Sequence, residues 1–322
     1  MSINASIAKK ILIENNGLEK IFFFATIPFF LSGFIGNVLV IRIVHKKRTM
    51  HTKTNYLLVT LTLSDIITIF MAPLCFFSHQ SGYLSEGFGT ISCKIIPSTE
   101  ISIAVSSFTL TVLAAERYHA LVKPFRTGWQ LNDENIKKVV AFIWIISTLF
   151  CLPFFVFQEW SQSLSRCVGP WSLHMNQTVK VYVFIVAVFV TYIPITAMVY
   201  FYGSLINGLY FSKTICSETT SRERDAEKSK LVVTFLLVSA GFCIGYGPFA
   251  IFYTLLAAGY DKQTDFFLYS VLSSLFICIF NASLCLNPIL YAFRSSNFKE
   301  SFKSIFFCRR STSSNEIELY DV

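Results

Sequence analysis

The chain contains seven long apolar runs that are separated by short polar stretches. Each run is close to the roughly 20 residues that a helix needs to cross the hydrocarbon of a bilayer. Backbone groups in lipid must find hydrogen-bond partners within their own segment, so each run is predicted to be a helix. The sequence therefore predicts an all-α integral membrane protein built as a seven-transmembrane helix bundle. The runs, called segments one to seven, are Ile21–Val44, Tyr56–Phe77, Ile95–Ala115, Val139–Phe157, Val181–Leu205, Leu231–Leu256 and Phe266–Phe293.

Composition agrees with this pattern. The chain is 53% hydrophobic and only 14% charged, which is unlike a soluble domain of 322 residues. Segment one begins after residue 20 and is too long for a signal peptide, so it is predicted to be a retained anchor helix. Residues 1–20 are then an extracellular N-terminus and residues 21–293 the transmembrane domain.

The basic residues predict the orientation. Twenty of the 27 lie in or beside the first, third and fifth loops and the tail, and seven lie in the other loops and the N-terminus. The positive-inside rule places the tail in the cytoplasm and the N-terminus outside, as in a multi-pass protein of the plasma membrane. Attraction to anionic membrane lipid explains the net charge of +8, and no nucleic-acid partner is expected.

Two of the nine cysteines, Cys93 and Cys167, fall squarely on the predicted outer side. They can form one disulfide there, and the alternative is a pair of free thiols. Asn4 and Asn176 begin sequons on the same side and are predicted glycosylation sites. A third sequon begins at Asn281 but lies inside segment seven, where it should stay unmodified.

Each segment also carries polar or proline residues at characteristic positions. In chain order these are Gly36-Asn37-Val38, Leu61 with Ser64-Asp65, Glu116-Arg117-Tyr118, Trp144 with Pro153, Pro194 with Tyr202, Phe242 with Pro248, and Asn287-Pro288-Ile289-Leu290-Tyr291. By order and spacing, this set resembles rhodopsin-like (class A) G-protein-coupled receptors over nearly the whole chain. The resemblance implies a receptor, not an enzyme, that binds an extracellular ligand and activates heterotrimeric G proteins. Arrestin and receptor kinases are further implied partners.

Asp65 lies in the middle of segment two, where an unpaired charge costs at least about 2.5 kcal/mol. It must therefore face the bundle interior, with Asn37, Ser106 and Asn287 as its expected partners and a cation or water between them. The resemblance implies that this is a sodium-binding pocket that favours the inactive state. A purely structural hydrogen-bond network is the alternative, and no other cofactor or metal is expected.

The inner ends of the segments carry the expected G-protein switch. Pro248 and Pro288 each remove a backbone hydrogen bond and kink their helices. The side-chain amide of Asn287 is predicted to reach the carbonyls that Pro288 leaves free. The resemblance implies that Pro248 lets the cytoplasmic half of segment six swing outward, while Tyr202 and Tyr291 turn inward. Static kinks are the alternative.

Two departures from the family pattern affect this switch. Gly245-Tyr246 replaces the usual Cys-Trp two residues before Pro248, so Tyr246 is the large aromatic at the base of the ligand pocket. Lys228 replaces the acid that often pairs with the segment-three arginine. Arg117 is therefore predicted to be held mainly by Glu116, and measurable basal signalling is expected.

The ligand pocket is predicted to include Thr99, Glu100, Tyr246 and Asn281. Amine receptors use an aspartate about two turns into segment three. Counting from Cys93 puts Glu100 at that position, whereas counting back from Arg117 puts Thr99 there. Glu100 either faces the pocket or reaches for water at the helix end.

Several stretches resemble neuropeptide receptors, namely Pro73, Gly87-Phe88-Gly89 and Phe108-Thr109-Leu110-Thr111. Glu86, Glu159 and Glu100 could receive a basic peptide. A small-amine or other small-molecule ligand is the alternative. A proton pump or transporter is a remote alternative. A pump would need a chain of buried acids and a retinal-binding lysine, whereas Asp65 stands nearly alone and Asn281 stands where an opsin needs that lysine.

Beyond segment seven, residues 294–308 place five apolar side chains opposite two lysines, which predicts an amphipathic helix in the membrane interface. Cys308 at its end is a predicted palmitoylation site. Residues 309–322 are predicted to be a disordered cytoplasmic tail that either takes phosphate or is simply solvated.

Overall fold

The protein is described by a computed structural model that covers residues 5–80, 83–122, 131–132, 134–169, 177–208, 222–258, 266–294 and 298. Its helices and strands are α1 (Ala5–Lys46), α2 (Lys53–His79), α3 (Glu86–Ile95), α4 (Ser98–Val122), α5 (Ile136–Phe157), β1 (Glu159–Ser161), β2 (Arg166–Val168), α6 (Gln177–Val186), α7 (Ile193–Ile206), α8 (Arg222–Ala257) and α9 (Phe266–Arg294). A 3-10 turn covers Arg48–Met50, and a π-helical turn covers Ala187–Tyr192.

The described residues contain seven helical stretches that are long and apolar enough to cross a membrane, which confirms the predicted seven-helix bundle. Segment three consists of α3 and α4, and segment five consists of α6, the π-helical turn and α7. The membrane-spanning part of α1 is Lys20–Lys46, close to the predicted Ile21–Val44, and the helix also continues back without a break to Ala5.

Segment three is the centre of the bundle, with α4 packed against segments two, four and five. Segment one packs against two and seven, and segment six packs against seven. The interior is filled by large side chains that are almost fully buried, including Leu57, Leu61, Leu110, Leu113, Met198, Phe235 and Tyr291. Large apolar side chains on the outer faces, such as Phe70 and Phe142, are exposed, as lipid-facing positions should be.

A two-stranded antiparallel hairpin, β1 and β2, lies at the outer end of the bundle. The Cys93–Cys167 disulfide joins β2 to segment three and confirms the predicted pairing. The Lys94 ammonium donates to the carbonyls of Phe155 (2.9 Å) and Gln158 (2.8 Å), at the end of segment four. A cation at these terminal carbonyls also suits the negative end of the helix dipole.

Some predicted features lie outside the described residues. These are Asn4, Asn176, Cys308, the tail 309–322 and the interfacial helix apart from Arg294 and Phe298. The Lys228 side chain lies outside them as well. Phe298 is buried, and its ring centroid lies 5.9 Å from that of Tyr291.

Candidate functional site

Asp65 is 1% exposed and lies in the interior, as its charge requires. Its Oδ2 atom accepts a hydrogen bond of 2.7 Å from the Asn287 amide. Ser106, predicted to act through a cation or water, shares a hydrogen bond of 2.8 Å with the hydroxyl of Ser64, the residue before Asp65. Asp65 forms no ion pair with any described Lys or Arg. The structure therefore places Asn287 at the Asp65 carboxylate, whereas Ser106 of segment three contacts Ser64, the residue next to Asp65.

Asn37 braces the kink of segment seven. Pro288 has no N–H for the carbonyl of Leu284, and the Asn37 amide, which donates to the Gly33 carbonyl of its own helix at 2.9 Å, also donates to the Leu284 carbonyl at 3.4 Å. The prediction had given this role to Asn287, whose amide is committed to Asp65 instead. The approach depends on Gly36, where a Cβ would lie 2.8 Å from Cβ of Pro288. The Oδ1 atom of Asn37 is buried and has no hydrogen-bond partner in the described structure.

A second proline kink is braced from segment three. Pro194 cannot donate to the carbonyl of Val190, and the Ser107 hydroxyl donates to it at 2.6 Å. The preceding residues form the π-helical turn, a feature that is frequent at functional sites. Sequence reasoning overlooked Ser107. The available signal was a hydroxyl inside an apolar run, together with a proline in a neighbouring segment.

The inner end of segment three forms a charged cluster. The Arg117 guanidinium donates from Nε to Glu116 Oε2 at 2.5 Å. Glu116 also forms an ion pair of 3.7 Å with Lys53. A second nitrogen of Arg117 donates to the Thr54 hydroxyl, so segment two shares the restraint. The predicted pairing of Arg117 with Glu116 is present, but Lys53 and Thr54 were not foreseen.

Segment six reaches this cluster through an aromatic ring. The Arg117 guanidinium carbon lies 5.5 Å from the centroid of the Phe235 ring, within the range of a cation–π interaction. Phe235 is almost fully buried. In the described part of the chain, the contact between Arg117 and segment six is thus aromatic instead of acidic.

The three predicted switch tyrosines are buried at this end. The Ser239 hydroxyl donates to the Tyr202 hydroxyl at 3.2 Å, which joins segments five and six. The Tyr291 hydroxyl has no hydrogen-bond partner among the described residues. Tyr118 packs against segment five, with its ring centroid 5.7 Å from that of Phe201. Tyr202 and Tyr291 therefore already point into the bundle. The Tyr202 hydroxyl is hydrogen-bonded, and the Tyr291 hydroxyl has no partner among the described residues.

Tyr246, the predicted base of the ligand pocket, is buried in an aromatic cluster between segments six and seven. Its ring lies among those of Phe242, Phe249 and Phe280, with centroid distances of 5.5, 5.9 and 5.7 Å. Asn281, the fourth predicted pocket residue, is buried, and it follows Phe280 in the sequence.

The neighbouring Gly245 has a packing role beyond the flexibility expected of it. A Cβ at this position would lie 2.7 Å from Oγ of Ser283 and 3.2 Å from Cα of Phe280. Segments six and seven therefore touch closely here because residue 245 has no side chain.

A break in segment three settles the two ways of counting along it. Ile96 and Pro97 form a turn between α3 and α4, and α4 is unbroken from Ser98 to Val122. Helical counting is therefore continuous from Arg117 back to Thr99 but not to Cys93. Thr99 occupies the position that counting back assigns to it, and its buried hydroxyl has no hydrogen-bond partner in the described structure.

Glu100 lies one residue further along, in the first turn of α4, and is partly buried. Its carboxylate forms no hydrogen bond or ion pair among the described residues, so its place in the ligand pocket stays a prediction.

Comparison with known proteins adds to this geometry. The family model described as "7 transmembrane receptor (rhodopsin family)" matches residues 36–291. The pyroglutamylated RF-amide peptide receptor of Mus musculus is 25% identical over 298 residues, covering 85% of this chain and 67% of that protein. Somatostatin receptor type 5 of Bos taurus is 26% identical, covering 86% and 74%. Galanin receptor 2a of Danio rerio is 27% identical, covering 87% and 76%.

Among solved structures, squid rhodopsin superposes with a TM-score of 0.73. The alignment covers 90% of this chain and 86% of that one at 18% sequence identity. This similarity shows that the two chains share a fold.

Proposed function

Because this chain belongs to the rhodopsin family of seven-transmembrane receptors, we propose that it binds an extracellular neuropeptide and activates heterotrimeric G proteins. In this proposal it is a multi-pass protein of the plasma membrane, with its N-terminus outside. Arrestin, receptor kinases and the lipid of the inner leaflet are its further proposed partners. Membership of a receptor family makes it a signalling protein and not an enzyme.

The peptide ligand is supported by the names of the similar proteins, which are receptors for an RF-amide peptide, somatostatin and galanin. A small amine is the less favoured ligand. On the unbroken helix α4, the position at which amine receptors carry an aspartate is Thr99, which has no charge. The register of α4 therefore argues against an amine receptor.

The observation that carries the signalling proposal is the position of Arg117 under Phe235. The guanidinium is held by Glu116 and Thr54 on one side and covered by the segment-six ring on the other. If the lower half of segment six bends outward at Pro248, Phe235 leaves the guanidinium and opens the inner end of the bundle. Tyr202, released from Ser239, can then turn toward Arg117.

A G-protein activation screen tests this function. Cells that express the receptor are exposed to a library of amidated neuropeptides and, separately, to a panel of small amines. We expect peptide responses that disappear in Arg117→Ala, while surface expression of that variant stays near the wild-type level. Activation by amines and not by peptides would replace the proposed ligand class, and responses that persist in Arg117→Ala would contradict the proposed switch.

We also propose that Asp65 binds a sodium ion that favours the inactive state. The carboxylate is buried without a basic partner in the described structure, and a cation would relieve its charge. The expected further oxygen ligands, a kind that suits a hard cation, are the hydroxyl of Ser106, which is bonded to Ser64 beside Asp65, and the unpartnered Oδ1 of Asn37. Bound sodium would neutralise the charge and hold segments two and three together.

Sodium titration separates this proposal from a purely structural network. We expect sodium to weaken agonist affinity at the wild-type receptor and to have no such effect at Asp65→Asn. Potassium at the same ionic strength is the control for screening. Sodium sensitivity that survives in Asp65→Asn would exclude Asp65 as the site.

A further inference from the structure

Lys53 is the first residue of α2 and lies at the inner end of the bundle, next to Glu116. We propose that Lys53 is a positioning residue of the G-protein switch, because its ammonium couples the third loop, between segments three and four, to the Glu116 carboxylate. This inference rests on the proposed G-protein function and deepens it. It adds a part of the inner surface whose position depends on the switch.

The Lys53 ammonium makes two contacts that belong to different parts of the inner surface. It donates to the carbonyl of Leu131, in the third loop, at 2.8 Å. It also lies 3.7 Å from Oε1 of Glu116, whose other carboxylate oxygen accepts from Arg117. One ammonium group therefore joins the end of the loop to the ion pair at the inner end of segment three.

The position of Lys53 is unfavourable for its own helix. A positive charge in the first turn meets the positive end of the helix dipole. The helix start is already capped, because the Thr52 hydroxyl accepts from the backbone N–H of Asn55. Local helix chemistry therefore gives no reason for a lysine here, whereas the two contacts of its ammonium do.

Glu116 supplies the charge that directs the ammonium. Its side chain is only 4% exposed, and its pairs with Lys53 and Arg117 are the ion pairs that the described residues form. Water screens a buried carboxylate less than an exposed one, so its attraction for nearby cations is stronger. Without this charge, the flexible lysine side chain would lose the partner that keeps it next to the Leu131 carbonyl.

The end of the loop that Lys53 holds is a compact turn. Leu131 is buried and packs into the interior. Asn132 and Asn135 cap one another, because the backbone N–H of each donates to the side-chain oxygen of the other at 2.8 Å. The N–H of Ile136, where α5 begins, then donates to the carbonyl of Asn132. A displacement of Leu131 is therefore passed to the start of segment four.

This turn is well placed to act on G-protein binding. In the proposed topology the third loop is cytoplasmic, and Lys53 ties it to the end of the bundle at which Arg117 lies. An outward movement of segment six would open that end, and a loop fixed beside it would form part of the docking surface. Fixing the loop before the partner arrives reduces the entropy that binding must remove. Lys53 therefore acts on the affinity for the G protein.

Amide hydrogen exchange of the purified receptor in lipid nanodiscs tests the coupling without any G protein. The readout is the exchange rate of the peptide that carries residues 131–136. Lys53→Met removes the ammonium and keeps the aliphatic stem. We expect this exchange to rise about tenfold, the factor that a hydrogen bond to a charged group contributes. Lys53→Arg should keep most of the protection. Lys47→Met, which removes an exposed lysine of the first loop, should behave as the wild type.

A change at Glu116 distinguishes a positioning role from a simple tether. Glu116→Gln should also raise the exchange of residues 131–136 severalfold, although Glu116 has no hydrogen bond with the described part of the loop. In the Lys53→Met background the same change should add nothing, because both substitutions act through one ammonium. Loop exchange that fails to respond to either single change, or equal increments from Glu116→Gln in both backgrounds, would overturn the inference.

Signalling is measured separately, as basal nucleotide exchange on a panel of purified G proteins. The half-saturating G-protein concentration should be about tenfold higher for Lys53→Met than for the wild type, and unchanged for Lys53→Arg and Lys47→Met. An unchanged concentration in Lys53→Met, despite faster loop exchange, would refute the role of the loop in docking. A receptor whose loop responds as expected but which activates no G protein would count against the proposed function alone.

Discussion

The kinks of segments five and seven differ from that of segment six in what neighbouring helices supply. Ser107 and Asn37 donate to the carbonyls that prolines leave free in segments five and seven. Pro248 leaves the carbonyl of Ile244 free in the same way, yet no side chain in the described part of the chain donates to it. Two kinks are therefore braced from outside, and the third depends on its own helix.

This difference indicates that segment six can bend at a lower cost in free energy than segments five and seven. Below Pro248, segment six is held by the hydroxyl contact between Ser239 and Tyr202 and by the ring of Phe235 over Arg117. Contacts of these kinds contribute about 0.5–2 kcal/mol each. A ligand that binds the open state a few kcal/mol more tightly can therefore shift the equilibrium.

Pro248→Ala should have the largest effect, because it removes the unbraced proline kink that distinguishes segment six from segments five and seven. The new N–H can bond the carbonyl of Ile244 and remove a kink with an energetic effect of about 3 kcal/mol. We expect agonist-stimulated G-protein activation to fall by about tenfold or more, at unchanged surface expression. Pro153→Ala is the control, since segment four has no part in the outward swing. An equal loss in both variants would mean that the effect is not specific to segment six.

Glu116→Gln should have the next largest effect. It removes the charge that holds Arg117 beneath segment six, an interaction of the kind that contributes about 1.5–3 kcal/mol. Basal nucleotide exchange on the G protein should rise by roughly tenfold. Glu134→Gln removes another acid between segments three and four and should leave basal exchange unchanged. A silent Glu116→Gln receptor would show that the restraint lies elsewhere.

Ser107→Ala should affect stability instead of signalling. The buried carbonyl of Val190 would lose its donor, which costs about 1–2 kcal/mol. The midpoint of thermal unfolding should fall by roughly 2–4 °C. The control is Thr111→Val, because the Thr111 hydroxyl bonds only a carbonyl of its own helix. Equal shifts in the two variants would refute a special role for the brace.

Phe235→Leu should have the smallest effect. Leucine keeps the apolar volume but loses the ring face under which Arg117 lies, a loss of about 1 kcal/mol. Basal exchange should rise about fivefold. Leu237→Val, at a lipid-facing position of the same helix, is the control. Basal exchange that does not respond to Phe235→Leu would leave the Ser239 contact as the main restraint on segment six.

The sequence predicted the seven segments well, because lipid leaves helices as the only way to satisfy these backbones. It did not predict the turn at Ile96–Pro97 or the π-helical turn in segment five. Both features change the backbone without changing the apolar character of the run, so a hydropathy pattern does not register them. The early start of α1 was missed for a related reason, since residues before Ile21 are too polar to count as membrane-spanning.

The site was predictable where the chemistry is local or where a charge must be buried. Glu116 and Arg117 are adjacent in sequence, and Asp65 had to find a polar partner, which is Asn287. Thr54 and Phe235 could not be foreseen, because their contacts with Arg117 depend on how three helices pack.

The close approach at Gly245 has a consequence for pharmacology. Since segment six lies directly against Ser283 there, the outer halves of segments six and seven should move as one body. A ligand that shifts this body therefore also changes the affinity of the inner end for a G protein. By thermodynamic linkage, a bound G protein changes the affinity for the ligand by the same factor. A cell rich in the matching G protein should therefore see this receptor as more sensitive to its peptide than a cell that is poor in it.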